Sequence, residues 1–153
     1  MKFRTEILIP HSGLELGLDD RTVLLGSCFS DNIGTRLADA GFNVLRNPFG
    51  TLYNPASIAS AVRRLDSDRP FTEADCVKMG AGSELICSFE HHTSFARESA
   101  QEFLDNANAR LQESRDFWKS CGKVVVTLGT AFVWKALERG GAVVSNCHKR
   151  PDR

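Results

Sequence analysis

The chain reads as one α/β domain, a three-layer sandwich with a mainly parallel sheet, and three observations predict it. Thr22 to Gly26 and Lys123 to Leu128 are short, continuous apolar runs, the kind that forms strands buried on both faces of a parallel sheet. Segments with apolar residues at helical spacing lie between the strand candidates. Polar loops containing glycine or proline follow the strand ends, where ligands sit in such sheets.

In chain order, Val23 to Leu25 form the core of the first strand, and Ile33, Leu37 and Ala40 fall at helical spacing behind it. Asp31 suits the first turn of that helix and Gly41 suits its stop, so the spacing predicts a helix over 31–40. Phe42 to Leu45 is a second strand candidate, which makes residues 22–46 a strand–helix–strand unit with a right-handed crossover. Asn47 to Pro55 is a loop fixed by two prolines and a glycine. Pro55 then opens a helix whose apolar face is Ile58, Ala61, Val62 and Leu65. Asp66 to Gly82 is polar and weakly patterned, a connection with at most one short element. Ser83 to Phe89 reads as a strand and Arg97 to Trp118 as the longest helix, with Phe103, Leu104, Ala107, Leu111 and Phe117 near helical spacing. After the apolar strand at 123–128, Ala131 to Leu137 and Gly141 to Cys147 form a hairpin across Glu138-Arg139-Gly140-Gly141. Trp118 and Trp134 read as core or pocket wall.

At 153 residues the chain is long enough to bury one core. Its 19 basic and 19 acidic residues balance, with neither sign gathered into a block, so neither a nucleic acid nor another polyanion is implied as partner. The five cysteines are odd in number and widely spaced. They form no zinc-type pair and read as reduced thiols in a cytoplasm. No stretch is long enough to cross a bilayer, and no glycine-rich phosphate loop follows a strand, so no cofactor is expected.

The chemistry concentrates after the first strand. Ser27 and Cys28 are nucleophile-type side chains at a strand-to-helix junction, where unpaired N–H groups of the helix can hold an oxyanion. The alternative is plainer: Gly26 turns, Ser27 or Ser30 caps the helix, and Cys28 is a small buried residue. Asn47 and Asn54 flank the proline loop, either as side-chain donors to a ligand or as residues that end turns. His91 and His92 are adjacent, so on extended backbone at most one enters a given site, and Glu90 either orients His92 or pairs with a basic residue. His148 with Lys149 makes either an anion-binding corner or a solvated basic tail.

Five ordered motifs, Leu25 to Ser30, Asn47 to Pro55, Ser88 to His92, Leu128 to Trp134 and Ser145 to Lys149, together resemble the GSCFA family of bacterial proteins. The family's first motif here reads Gly-Ser-Cys-Phe-Ser, with Ser30 in place of the final alanine. The resemblance implies a fold like that of the SGNH, or GDSL-like, ester hydrolases and an activity on ester bonds, with O-acyl groups on small molecules or carbohydrates as substrates. Overlaying the SGNH nucleophile block puts Cys28 at the nucleophile position, while a shifted register presents Ser27. By the same resemblance Gly50 supplies a backbone oxyanion donor beside Asn47 and Asn54. Ala131 stands where those enzymes carry an asparagine in the step beginning Gly129-Thr130, leaving Asn146 or Asn47 to replace it. GSCFA proteins are typically longer, and their Asp-x-x-His block lies near the far end. Residues 1–153 are therefore expected to be the N-terminal portion of one domain, incomplete at its C-terminus and inactive alone, with the general base beyond Arg153. The competing expectation is a non-catalytic module that binds a small anion or carbohydrate.

Overall fold

The computed structural model describes residues 5–80, 82–145 and 148, with the side chain of residue 138 also left out. Asn146, Cys147 and Lys149, named above, lie outside the described residues.

A three-stranded parallel sheet stands at the centre. Its middle strand β1 (Thr22–Gly26) is buried along its whole length. β1 pairs in register with β2 (Val44–Arg46), Thr22 opposite Val44, and with β5 (Lys123–Thr127), Thr22 opposite Lys123. Alternation along β1 sends Val23 and Leu25 to one face, where they join Phe49, Leu52, Ile58, Leu65, Phe103 and Leu111 in the main core. Each such buried side chain is worth about 1.5–3 kcal/mol of transfer free energy. Helix α1 (Cys28–Asp39) packs on the three strands, while α2 (Pro55–Asp66) and α3 (Ala100–Trp118) pack on each other and close that core.

Local capping explains the helix starts. α2 begins at Pro55 as expected, because Asn54 caps it by accepting from the Ser57 N–H at 2.8 Å. Ser99 caps α3 through the Glu102 N–H at 3.2 Å, so that helix opens at Ala100, past the expected Arg97. α1 opens at Cys28, ahead of the expected Asp31, because Ser27 is its cap.

Other expectations are corrected. Residues 66–82 hold β3 (Cys76–Gly80), which forms an antiparallel hairpin with β4 (Ser83–Ser88). Only Val77 of β3 is buried, so its sequence carries almost no alternation. The parallel sheet is accompanied by two antiparallel pairs, β3-β4 and β6-β7 (Trp134–Ala136 and Ala142–Val144). The second of these is the expected hairpin with shorter arms. β5 is not covered on both faces: it is an edge strand with Val124 45 % and Val126 50 % exposed. Trp118 lies against the core, whereas Trp134 is exposed. Among the described residues no helix is long and apolar enough to cross a membrane.

Candidate functional site

Three loops meet at the carboxyl end of the parallel strands, and hydrogen bonds tie each to its neighbours. The Gly26 N–H donates to Asn47 Oδ1 at 2.8 Å, and the Leu52 N–H donates to the Gly26 carbonyl at 2.8 Å. The N–H groups of Gly129 and Thr130 both donate to the Tyr53 carbonyl, at 2.8 and 3.0 Å. Gly26 has φ 135°, and a Cβ there would fall 1.9 Å from the Thr127 carbonyl oxygen. Only glycine lets β1 turn this close to β5.

Ser27 and Cys28 part company at this turn. The Ser27 hydroxyl is buried, accepts from the Phe29 N–H at 3.3 Å and lies 3.0 Å from Thr127 Oγ1. Thr127 Oγ1 also reaches Ser30 Oγ at 2.8 Å and accepts from the Ser27 N–H at 3.1 Å. Thr127 therefore ties the cap of α1 to the end of β5. Cys28, the first residue of α1, is exposed, so the reading of it as a small buried residue does not hold. Its N–H precedes any intrahelical acceptor and makes no hydrogen bond among the described residues.

The remaining rim residues are partly committed to holding the loops. Asn47 is buried with φ 36°; besides bonding Gly26 it donates from Nδ2 to the Ser27 carbonyl at 3.4 Å, which fixes the turn from the other side. Gly50 has φ 79° and its N–H donates to the Asn47 carbonyl at 2.8 Å. A Cβ on Gly50 would stand 2.3 Å from the Cβ of His92, so the glycine is where the proline loop and the His92 turn touch. Asn54 is buried as the α2 cap, with Nδ2 also donating to Ser57 Oγ at 3.0 Å. Thr130 Oγ1 accepts from the Phe132 N–H at 3.1 Å.

The two adjacent histidines diverge. His92 keeps to the rim side, its N–H donating to the Phe49 carbonyl at 2.8 Å and its Nδ1 accepting from the Ser94 N–H at 3.1 Å. His91 turns inward, fully buried among Phe49, Phe71, Phe95 and Phe103 with ring centroids 4.5–5.3 Å apart. Its Nδ1 lies 2.7 Å from Ser88 Oγ. Burial, helped by the nearby charges of Arg64 and His148 and opposed by Asp75, pushes its pKa down to about 3. His91 is neutral here at ordinary pH. His148 is also buried; it donates from Nε2 to the His91 carbonyl at 2.8 Å and meets Phe89 edge-on. It belongs with His91 rather than in a solvated tail.

Glu90 pairs with a basic residue. Both its oxygens accept from Arg64, at 3.1 and 2.6 Å, and Arg64 also reaches Asp75 at 3.2 Å. Burial alone would lower the Arg64 pKa, but the bonds to Glu90 and the charges of Glu90 and Asp75 outweigh it and raise the pKa.

Sequence reasoning missed Thr127 as a site residue. Its one available signal was a hydroxyl at the end of an otherwise apolar run. Arg64 was missed because a charge on the inner face of a helix gives no sign of a partner 26 residues away. Among the described residues, no group of three or more His, Cys, Asp or Glu could hold a metal ion.

The model of the GSCFA family matches the chain over residues 21–153. No curated protein and no solved structure matches it.

Proposed function

The chain belongs to the GSCFA family, and on that premise we propose that the rim is an ester hydrolase or acyltransferase centre with Cys28 as its nucleophile, acting on O-acyl esters of small molecules or carbohydrates. The observation that carries this reading is the division of labour between neighbours: the Ser27 hydroxyl is buried in cap and Thr127 contacts, while Cys28 is exposed at the helix N-terminus. A thiolate there attacks the acyl carbon, and the carbonyl electron pair moves onto oxygen. The oxyanion faces the Cys28 N–H and the positive end of α1. Collapse expels the alkoxide, which takes up a proton, and leaves a thioester on Sγ. Water or a second hydroxyl then receives the acyl group and restores the thiol.

The SGNH-like, three-layer arrangement is part of the same reading, supported by the parallel order β2-β1-β5, by α1 packed on that sheet, and by the nucleophile loop directly after β1. The free thiols of Cys28, Cys76 and Cys121 support a reducing, cytoplasmic setting.

Single-turnover acylation tests the first half of the reaction. With p-nitrophenyl acetate, whose activated leaving group departs without a general acid, so that acylation does not depend on a base beyond Arg153, the expected result is a burst of p-nitrophenolate matched by an acetyl group on the Cys28 peptide, abolished in Cys28→Ala and retained in Ser27→Ala. Acetylation of Cys28 no faster than that of Cys76 or Cys121 would remove the covalent mechanism. The second reading, a binding module without turnover, draws on the mutual hydrogen bonding of Ser27, Ser30 and Thr127, and it gains if acylation fails.

A further inference from the structure

A groove of about 590 Å³ opens between α2 and the β6-β7 hairpin, and it shares no lining residue with the Gly26–Ser30 turn. One face of α2 forms a wall, with Ala56, Ala59, Ser60 and Arg63 at successive helical spacing. Alanines leave space, while the opposite face of the helix, Ile58, Ala61 and Leu65, fills the core. Arg139 stands on the hairpin side, donating to the Ala74 and Cys76 carbonyls at 3.3 Å each, with its guanidinium 5.7 Å from the Phe89 ring at the floor.

Charge decides what such a groove attracts. Two carboxylates line it, Asp75 and Glu90, but both are already matched: Glu90 by the two-pronged contact with Arg64, and Asp75 by Arg64 and Arg69. Arg63 makes no ion pair or hydrogen bond among the described residues, and the only described hydrogen-bond partners of Arg139 are backbone carbonyls. Two guanidinium groups therefore line the groove without a facing carboxylate of their own. The Ser60 hydroxyl, half-buried on the same wall, is a further donor.

We propose that this groove binds a small organic anion through a carboxylate or phosphate group held by Arg63 and Arg139, with the apolar part of the ligand against the alanines of α2. Guanidinium groups suit either oxyanion because their paired N–H donors match its geometry.

Inorganic phosphate and succinate, titrated separately at constant ionic strength into the isotopically labelled chain, test this by amide chemical shifts. Saturable shifts at Ala59, Ser60 and Ala142 are expected with at least one probe, and the probe that saturates identifies the oxyanion. Arg63→Gln and Arg139→Gln should each weaken binding roughly fivefold or more, and Ala59→Phe should block it by filling the groove. Arg63 is exposed, so its substitution leaves the fold intact and keeps the test valid if Ala59→Phe does not fold. Shifts that stay linear with both probes, that persist unchanged in Arg63→Gln, or that centre on residues 27–30 would overturn the assignment.

Discussion

Thr127 is a single hydroxyl shared by Ser27, Ser30 and the Ser27 N–H. Thr127→Val keeps the shape of the side chain but leaves those partly buried groups short of a partner. It should destabilise the chain by about 1–3 kcal/mol, read from urea unfolding, and Thr127→Ser should recover most of the loss. His91 makes a prediction of a different kind. Its folded pKa of about 3 lies below its ordinary 6.5, so between those values the unfolded chain holds the extra proton. Stability then rises with pH across this window and is lost as pH falls from about 6.5 toward 3, by up to about 1.4 kcal/mol per pH unit from this group. Melting curves taken through the window should show that slope in the native chain and a shallower one in His91→Gln; identical slopes would mean that His91 is not the acid-sensitive group.

Among the elements, β5 departs furthest from its sequence. Its valines promised a strand covered on both faces, yet it lies at the edge with Val124 and Val126 half exposed. Edges of this kind template pairing with other chains. Val124→Lys with Val126→Lys should slow concentration-dependent aggregation, seen by light scattering, with little change in melting temperature. An unchanged aggregation rate would place the sticky surface elsewhere. The same strand shows what a sequence can and cannot carry. Apolar runs and first-turn prolines are local signals, so β1, α2, α3 and the convergence of the loops at the strand ends were legible from Val23, Pro55 and the spacing of Phe103, Ala107 and Leu111. The hairpin partner β3 was not legible, because Val77 alone is buried and its pairing is decided by β4. Nor could the different surroundings of Ser27 and Cys28 be read, since what buries the Ser27 hydroxyl is a threonine at the far end of another strand.

Over the whole molecule, Arg64 is the junction. From α2 it reaches the Pro70 carbonyl, Asp75 ahead of β3 and Glu90 after β4, and its guanidinium lies 4.1 Å from the Phe71 ring. Arg64→Leu leaves two partly buried carboxylates without their main cation and should cost about 3 kcal/mol, measured as a shift in the denaturant midpoint. Arg64→Lys should recover only part of this, because an ammonium cannot bridge both Glu90 oxygens in the same way. The Ser27–Thr127 contact has a reach of another order, closing over 100 residues of chain. During synthesis Ser27 and Cys28 are made well before Thr127, so the helix cap must wait for another hundred residues of chain before its clamp arrives. Until then the turn after β1 lacks the hydroxyl that ties Ser27 and Ser30 to β5.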